Sequence, residues 1–456
     1  MTLPPALEAG DIFPDTARAR GAHLEIGGCD VTELAQRFGT PLYVYDATTV
    51  AARADGFRGA LSSNYPGRSL VCFAAKAYCA PWLLRLVERH GLGLDVVSGG
   101  ELHAALAVGF PVERIVFHGN NKTEEELERA LGAKVGRIVI DNLDELAMLA
   151  RLATARNTRQ PVLIRVGPDI AAHTHAHLQT GAMDTKFGLG IASGQAAEGI
   201  RAALAEPSLD LRGIHAHIGS QIFDVATYEE AIERLFALAS SLRAEGFDLR
   251  ELSPGGGFGV RYRPEDPSSG TPGASLRTED AIAQVGTLVA ASARRHGYDR
   301  LPDLTIEPGR SLIASSAVAL YRVGSVKRIP GGRTYVAVDG GMADNIRPTA
   351  YGAEYTAVLA DRLDEPDETE VAVAGRYCES GDILIQRVRL PLPRRGDLLA
   401  IPVAGAYQLA MASNYNMAPR PAVVTVADGN ARLVRRRETY DDLLRSDDEG
   451  GAASPA

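Results

Sequence analysis

The chain is short of the features that would set it apart from ordinary globular enzymes. It has four cysteines (Cys29, Cys72, Cys79 and Cys378), none in CxxC spacing, which argues against a disulfide framework and against a cysteine-based zinc site. No hydrophobic run is long enough for a membrane span. The longest, Leu398 to Ala412, is broken by Pro402, Tyr407 and Gln408 and falls short of about 18 residues. The opening MTLPPALEAGDIFPD has no basic region and no apolar stretch, so no secretory signal is expected. Positive charge does not dominate: the net charge is −9, and no Lys/Arg block stands out before the tail. A nucleic-acid or anionic-membrane partner is therefore not expected. Glycine and proline, 47 and 25 of 456 residues, are too few for a low-complexity or collagen-like chain. With 45% hydrophobic and 23% charged residues, the composition excludes disorder and suits a soluble cytoplasmic enzyme of two or three domains.

What is present is a regular alternation of strand-like runs and amphipathic stretches from about Ser69 to Arg310. The runs are SLVCFAAK (69–76), GLDVVS (93–98), RIVFHG (114–119), RIVID (137–141), VLIRVG (162–167), GIHAHIG (213–219), LRELSPGGG (249–257) and LTIEPGR (304–310). Between them, Thr123 with Glu126 and Asn142 with Glu145 have capping-box spacing, and residues 227–246 repeat apolar positions at helical period before Gly246. Eight βα units predict an α/β fold, a (β/α)8 TIM barrel rather than an open doubly wound sheet. Beyond Arg310 the runs TYVAVDGG, EVAVAG, DILIQRVRLP, DLLAIPVAG and AVVTVADGNARLVRR predict a separate β domain, sandwich- or barrel-like. The loop 264–275 is polar and rich in Pro, Gly and Ser, and residues 446–456 read as a disordered tail.

Polar residues gather where the predicted strands end: Lys76, Asp95, Ser98, His118, Asn120, His217, Ser220, Gly255 to Gly257, Glu307 and Arg310. In a TIM barrel that rim carries the active site. Lys76, among small and apolar neighbours, would suit a Schiff base if desolvated, and would equally suit a strand-end lysine reaching water. SPGGGFG (253–259) offers a backbone nest for an anion, though glycine clusters also serve simply as turns. It has neither GxGxxG nor GK[ST] spacing, so dinucleotide and P-loop readings are poor. EPGR (307–310) places a carboxylate and a guanidinium after the eighth strand, beside the loops where barrels commonly hold phosphate. Arg310 could instead simply pair with Glu307. Histidines at 173, 175 and 177 and at 215 and 217 raise a zinc alternative, because alternation along a strand would put His215 and His217 on one face. No Asp-containing run closes the eighth strand, and no metal is expected.

Together these motifs resemble the fold-type III pyridoxal-phosphate decarboxylases, and within them the diaminopimelate decarboxylase family. FAAKAY, DVVSGGEL, GNNKTEEEL, KFGLG, HAHIGSQ, GGGFG, EPGR, YCESGD and GAYQLAMASNYN stand in the family's order over nearly the whole chain. The resemblance implies pyridoxal 5'-phosphate as cofactor, with Lys76 as the Schiff-base lysine and His217 stacked on the pyridine ring. It implies Ser220, Gly255, Gly256, Gly257, Arg310 and Tyr407 at the phosphate and Glu307 at the ring nitrogen. It implies Arg310, Arg347, Tyr351, Glu379 and Tyr407 around substrate, and Cys378 in protonating the intermediate. Cys378 and Glu379 would reach the site from the partner subunit of a homodimer. The resemblance also places the N-terminal segment with the β domain, giving a barrel at 46–312 and a β domain from 1–45 and 313–456.

A carboxylate at the ring nitrogen keeps the cofactor a strong electron sink. The similar alanine racemases have an arginine there, so Glu307 favours decarboxylation. The implied substrate is meso-diaminopimelate, whose distal amino-acid group needs both an anion and cations. Glu379 with Arg310, Arg347 and Tyr351 supplies them, whereas the similar ornithine decarboxylases carry aspartate after the cysteine and lack the arginine pair. A related decarboxylase of carboxynorspermidine, arginine or another basic amino acid is the alternative, and a non-enzymatic pyridoxal-phosphate carrier is a third. Gln408 and the loop 171–181 depart from the family pattern and bear on selectivity rather than on the reaction.

Overall fold

The computed structural model describes Leu7 and residues 11–170, 186–266 and 277–447. The chain divides into two compact units. One comprises Val50–Arg261 and Pro267–Ile313; the other comprises Met1–Thr49, Tyr262–Asp266 and Ala314–Ala456.

The first unit is built on eight parallel strands: β1 (Ser69–Ala74), β2 (Gly93–Val96), β3 (Ile115–Phe117), β4 (Arg137–Ile140), β5 (Gln160–Gly167), β6 (Leu209–His215), β7 (Glu251–Gly255) and β8 (Asp303–Ile306). Each pairs with the next, and β8 pairs with β1 through Leu304 and Ser69, so the sheet closes into a barrel. These are the eight predicted runs, and Lys76, His118, His217 and Glu307 follow the ends of β1, β3, β6 and β8. Inside, Cys72, Val116, Val139 and Leu163 of β1, β3, β4 and β5 form a buried apolar cluster. Across the barrel, the first residues of β4 and β7, Arg137 and Glu251, form an ion pair.

The connecting helices begin where the sequence signals them. Thr123 and Glu126 make a full capping box on the helix Glu124–Ala133. Asn142 caps Leu143–Ala155 by accepting the Glu145 N–H, but the Glu145 side chain turns to Lys122 instead of completing the box. A buried ammonium is the stronger partner, because leaving it unpaired would cost more than an uncapped N–H. The predicted helix over 227–246 spans Val225–Ser241 and buries Tyr228, Ala231, Ile232, Leu235, Phe236, Leu238 and Ala239 on one face. Truncating one of these, such as Leu235→Ala, would cost about 2–5 kcal/mol through lost transfer energy and the cavity left behind.

The second unit contains a seven-stranded sheet path. Its order is Ile383–Leu390, Thr369–Ala374, Thr334–Val338, Ala317–Arg328, Leu42–Asp46, Ala422–Ala427 and Asn430–Arg435. The N-terminal strand Leu42–Asp46 lies inside it, antiparallel to Ala317–Leu320 and parallel to Ala422–Val426. Leu398–Ile401 pairs with the long strand Ala317–Arg328 as well. All five β-rich runs read in the sequence are strands here. Among the described residues, no helix is long and apolar enough to cross a membrane.

Candidate active site

In the barrel unit the candidate residues sit at the C-terminal ends of the strands. Lys76 lies in the short turn Ala75–Ala77 after β1. Its alanine neighbours are buried but Lys76 itself is exposed, so local packing does not supply the desolvation considered for it.

Glu307, just past β8, is buried and well partnered. Its two oxygens lie 2.9 Å from His215 Nε2 and accept from Ser253 Oγ at 2.9 Å. Burial would raise its pKa, but the His215 and His118 imidazoles outweigh burial and hold it well below the usual carboxylate range. Glu307 is therefore an anion. His118 Nε2 stands 3.6 Å from Glu307 and 3.7 Å from Asp95, and the His118 and His215 rings meet edge-on with centroids 4.7 Å apart. Burial, then the charge on Glu307, pushes Asp95 well above its ordinary pKa. Two neighbouring carboxylates in one dry site cannot both ionise easily, and the one with more donors keeps the charge.

The glycine run is a turn that only glycine can make. Gly255 and Gly257 have φ of 84° and 100°, and a Cβ on them would lie 2.5 Å from Ala216 O and 2.3 Å from Gly219 O. A Cβ on Gly256 would lie 2.0 Å from Glu307 O. The loops after β6, β7 and β8 thus pack backbone against backbone, closer than any side chain would allow. Beside this turn Arg310 Nη2 donates to Ser220 Oγ at 3.2 Å, so the Ser220 proton remains available to another acceptor. His217 Nδ1 faces the Gly256 N–H at 3.4 Å. Burial, then the nearby Lys76 charge, pushes the His217 pKa well down, so its ring is neutral. A glycine turn beside a serine and an arginine, a buried carboxylate, a neutral imidazole and an exposed amine are a donor set that fits pyridoxal phosphate.

The zinc alternative fares less well. His118, His215 and Glu307 have ligand atoms within 4.8 Å of one another. However, β6 ends at His215, so strand alternation does not carry His217 onto the same face, and each takes a different partner. Both Glu307 oxygens already accept hydrogen bonds. His173, His175 and His177 and the loop 171–181 lie outside the described residues.

In the β unit Arg347 is buried, with Nε donating to Tyr355 Oη at 3.1 Å. Its guanidinium lies 5.6 Å from the Tyr351 ring centroid and 5.7 Å from those of Tyr262 and Tyr407, a cation–π cage that fixes the charge. Tyr407 has φ of 60°, and the following Gln408, the departure noted in the sequence, is buried and accepts from Tyr43 Oη at 2.9 Å. Cys378 and Glu379 lie on one exposed loop. Asp382 ties that loop to the one before Arg347 by accepting the N–H groups of Tyr377 and Met342 at 2.8 and 2.7 Å. The structure thus groups Lys76, His217, Ser220, Gly255, Gly256, Gly257, Glu307 and Arg310 on the barrel rim. In the β unit it groups Arg347, Tyr351 and Tyr407, and separately Cys378 with Glu379. Sequence reasoning gave no role to Asp95, His118, Ser253 or Lys122. Asp95 and His118 were marked only by position at a strand end, and Ser253 and Lys122 only by standing in the motifs SPGGGFG and GNNKTEEEL.

The comparisons with known proteins agree. Residues 49–314 match the family described as pyridoxal-dependent decarboxylase, pyridoxal binding domain. The diaminopimelate decarboxylase of Bacillus subtilis is 46% identical over 426 residues, 93% of this chain and 95% of that protein. That of Actinosynnema pretiosum is 46% identical over 446 residues, 98% and 97% of the two chains. The crystal structure of diaminopimelate decarboxylase from M. jannaschii aligns with a TM-score of 0.88 at 32% identity, covering 96% of this chain and 98% of that one. A lysine/ornithine decarboxylase from Vibrio vulnificus, at 21% identity and a TM-score of 0.70 over 87% and 97% of the chains, shares the fold. Matched over more than half its length by that family model, and 46% identical to diaminopimelate decarboxylases over nearly all of it, the chain belongs to the pyridoxal-phosphate-dependent decarboxylases, in the diaminopimelate decarboxylase family.

Proposed function

We propose that the protein removes one carboxyl group from meso-2,6-diaminopimelate, releasing CO2 and L-lysine as the last step of lysine biosynthesis. The observation that carries this reading is Glu307, an anion held by His215 and Ser253, in a chain similar to diaminopimelate decarboxylases over nearly its whole length. Pyridoxal 5'-phosphate, when bound, supplies the sink for the electron pair that departing CO2 leaves behind. Glu307 would hold the proton on the ring nitrogen, which keeps that sink strong and favours decarboxylation over racemisation. Lys76 would hold the aldehyde end, and His217, being neutral, would lie against the ring face without competing for its charge. Ser220, Gly255, Gly256, Gly257, Arg310 and Tyr407 would hold the phosphate.

On the substrate side, Arg310, Arg347, Tyr351 and Tyr407 would bind carboxylate and Glu379 the distal ammonium, while Cys378 gives a proton to the α-carbon. In this reading the enzyme is a cytoplasmic homodimer, with Cys378 and Glu379 of the partner subunit completing each site. The test is CO2 release from a panel of meso-diaminopimelate, lysine, ornithine, arginine and carboxynorspermidine. A site whose buried charges are left unpaired by the wrong substrate discriminates by about 10⁴–10⁵-fold, so kcat/KM should favour diaminopimelate by that order. Comparable release from ornithine or carboxynorspermidine would overturn the substrate assignment.

A further inference from the structure

The segment Ser413–Asn416 closes the GAYQLAMASNYN motif and has no part in the mechanism above. It nevertheless meets the loop that carries Cys378 and Glu379 at two specific atoms. Asn416 Oδ1 accepts the Cys378 backbone N–H at 3.1 Å, and the Tyr415 hydroxyl donates to the Glu379 carboxylate. That bond, with the Glu379 charge, pushes the Tyr415 pKa up. The Tyr377 ring adds an edge-on contact to Tyr415, centroids 6.2 Å apart.

Both sides of this contact are held independently. The receiving loop is tied by Asp382 to Tyr377 and Met342, and by Thr349 Oγ1, which donates to Gly381 O at 3.0 Å. On the presenting side, Ser413 N donates to Ala343 O at 2.8 Å, and Asn414 Nδ2 donates to Ala418 O at 3.1 Å and to Glu438 at 2.6 Å. Glu438 is in turn held by Arg420, whose N and Nε donate to it at 2.8 and 2.7 Å. Asn416 and Met417 sit at φ of 53° and 54°, a left-handed backbone that residues with a Cβ keep only where the surroundings over-determine it. A frame this fixed, holding a phenol against one side chain and an amide oxygen against the next residue's backbone, has the geometry of a support.

We propose that Tyr415 and Asn416 are positioning residues for the substrate end of the site. Tyr415 engages one Glu379 oxygen and so aims the other at the distal ammonium, while Asn416 fixes the backbone that carries the Cys378 thiol. This rests on the roles given above to Glu379 and Cys378. The two residues should separate kinetically, because the distal end of the substrate does not react and Cys378 does.

The test uses the full-length holoenzyme with meso-diaminopimelate. Tyr415→Phe removes one bond to a charged group, made alike in the ground and transition states. KM should therefore rise about 5–10-fold while kcat stays within about twofold. Asn416→Gly keeps the left-handed backbone but loses the acceptor, so kcat should fall about 10–100-fold with KM little changed. Asn416→Asp keeps both the acceptor and tolerance of that backbone, and should recover kcat to within about threefold of wild type. Cofactor affinity should be the same in every variant. An unchanged KM in Tyr415→Phe beside a raised KM in Glu379→Gln overturns the role of Tyr415. Wild-type kcat in Asn416→Gly overturns that of Asn416, and a loss of stability or cofactor affinity without the kinetic split overturns both. An unchanged KM in Glu379→Gln would instead show that Glu379 does not hold substrate, a failure of the underlying reading that this arm identifies separately.

Discussion

Replacing Gly256 with alanine tests whether the glycine turn and Glu307 are one mechanical unit. The added Cβ would lie 2.0 Å from Glu307 O and 2.7 Å from Glu307 C. Ordinary contacts are no closer than about 3 Å, and both partners are backbone, so the strands must part by about 1 Å. The displacement falls on the segment that donates Glu307 N–H to Gly255 O at 3.0 Å and that places the carboxylate against His215 and Ser253. Overpacking of this kind costs about 1–3 kcal/mol of stability. A 1 Å misplacement of a positioned catalytic group costs about 10²-fold in rate, so with Glu307 in its proposed role kcat should fall to roughly 1% of wild type. Gly246→Ala is the control. Gly246 also has positive φ, 95°, but nothing lies within 4 Å of its Cβ position, so backbone strain of about 1–2 kcal/mol should appear without a change in kcat. The assay is CO2 release at saturating cofactor and substrate, with cofactor affinity and melting temperature measured alongside. Wild-type kcat and cofactor affinity in Gly256→Ala would refute the coupling of the turn to Glu307.

Three further outcomes are expected. Glu307→Gln should cut kcat by about 10²–10⁴-fold while leaving cofactor affinity nearly unchanged, since the proposed phosphate contacts are elsewhere; near-normal turnover would count against the electron-sink argument. In the proposed homodimer, Lys76→Ala should be inactive and Glu379→Ala, assayed with substrate well below the wild-type KM, nearly so, yet co-expression should return roughly a quarter of wild-type CO2 release, because a mixed dimer inherits one intact site. Failure to recover activity once subunit exchange is confirmed would place Glu379 in its own chain's site. Asp344, buried and bonded by Tyr321 and the Gly341 N–H, has its pKa pushed up from 3.8 to about 7, chiefly by burial. A carboxyl raised in the folded state contributes stability that is complete below its unfolded pKa and lost as pH rises through the folded one. Wild type should therefore lose of order 4 kcal/mol relative to Asp344→Asn between about pH 4 and 7, read from melts across that window; parallel pH profiles would refute it.

The barrel was legible because its signals are local in sequence. Runs of five to nine residues, capping residues such as Thr123, and helical spacing over 227–246 each depend on neighbours within one or two turns. The exception is informative. Asn142 and Glu145 have the spacing of a capping box, but Lys122, distant in sequence, takes the Glu145 carboxylate at 2.7 Å. A buried lysine needs an anion more than a helix N-terminus needs a second cap, and nothing in the local pattern says that a lysine will arrive.

The same distinction runs through the site. Lys76, the glycine run, Glu307 with Arg310, and Cys378 with Glu379 stand in contiguous motifs, so each could be picked out from its own segment. What decides their chemistry is assembled across the barrel: His215 and Glu307 are 92 positions apart, and Ser253 and Glu307 are 54. His215 could be read as a zinc ligand because HAH is a metal-like spacing, yet its partner is a carboxylate delivered by a strand two places round the barrel. Closure of the sheet turns a metal-like motif into the donor that keeps Glu307 ionised, and it brings His118 and Asp95 to the same carboxylate from β3 and β2. An anion at that position follows from three-dimensional pairing, because burial alone would have neutralised it. The sequence motif therefore supplies a glutamate, and the barrel makes it a charge.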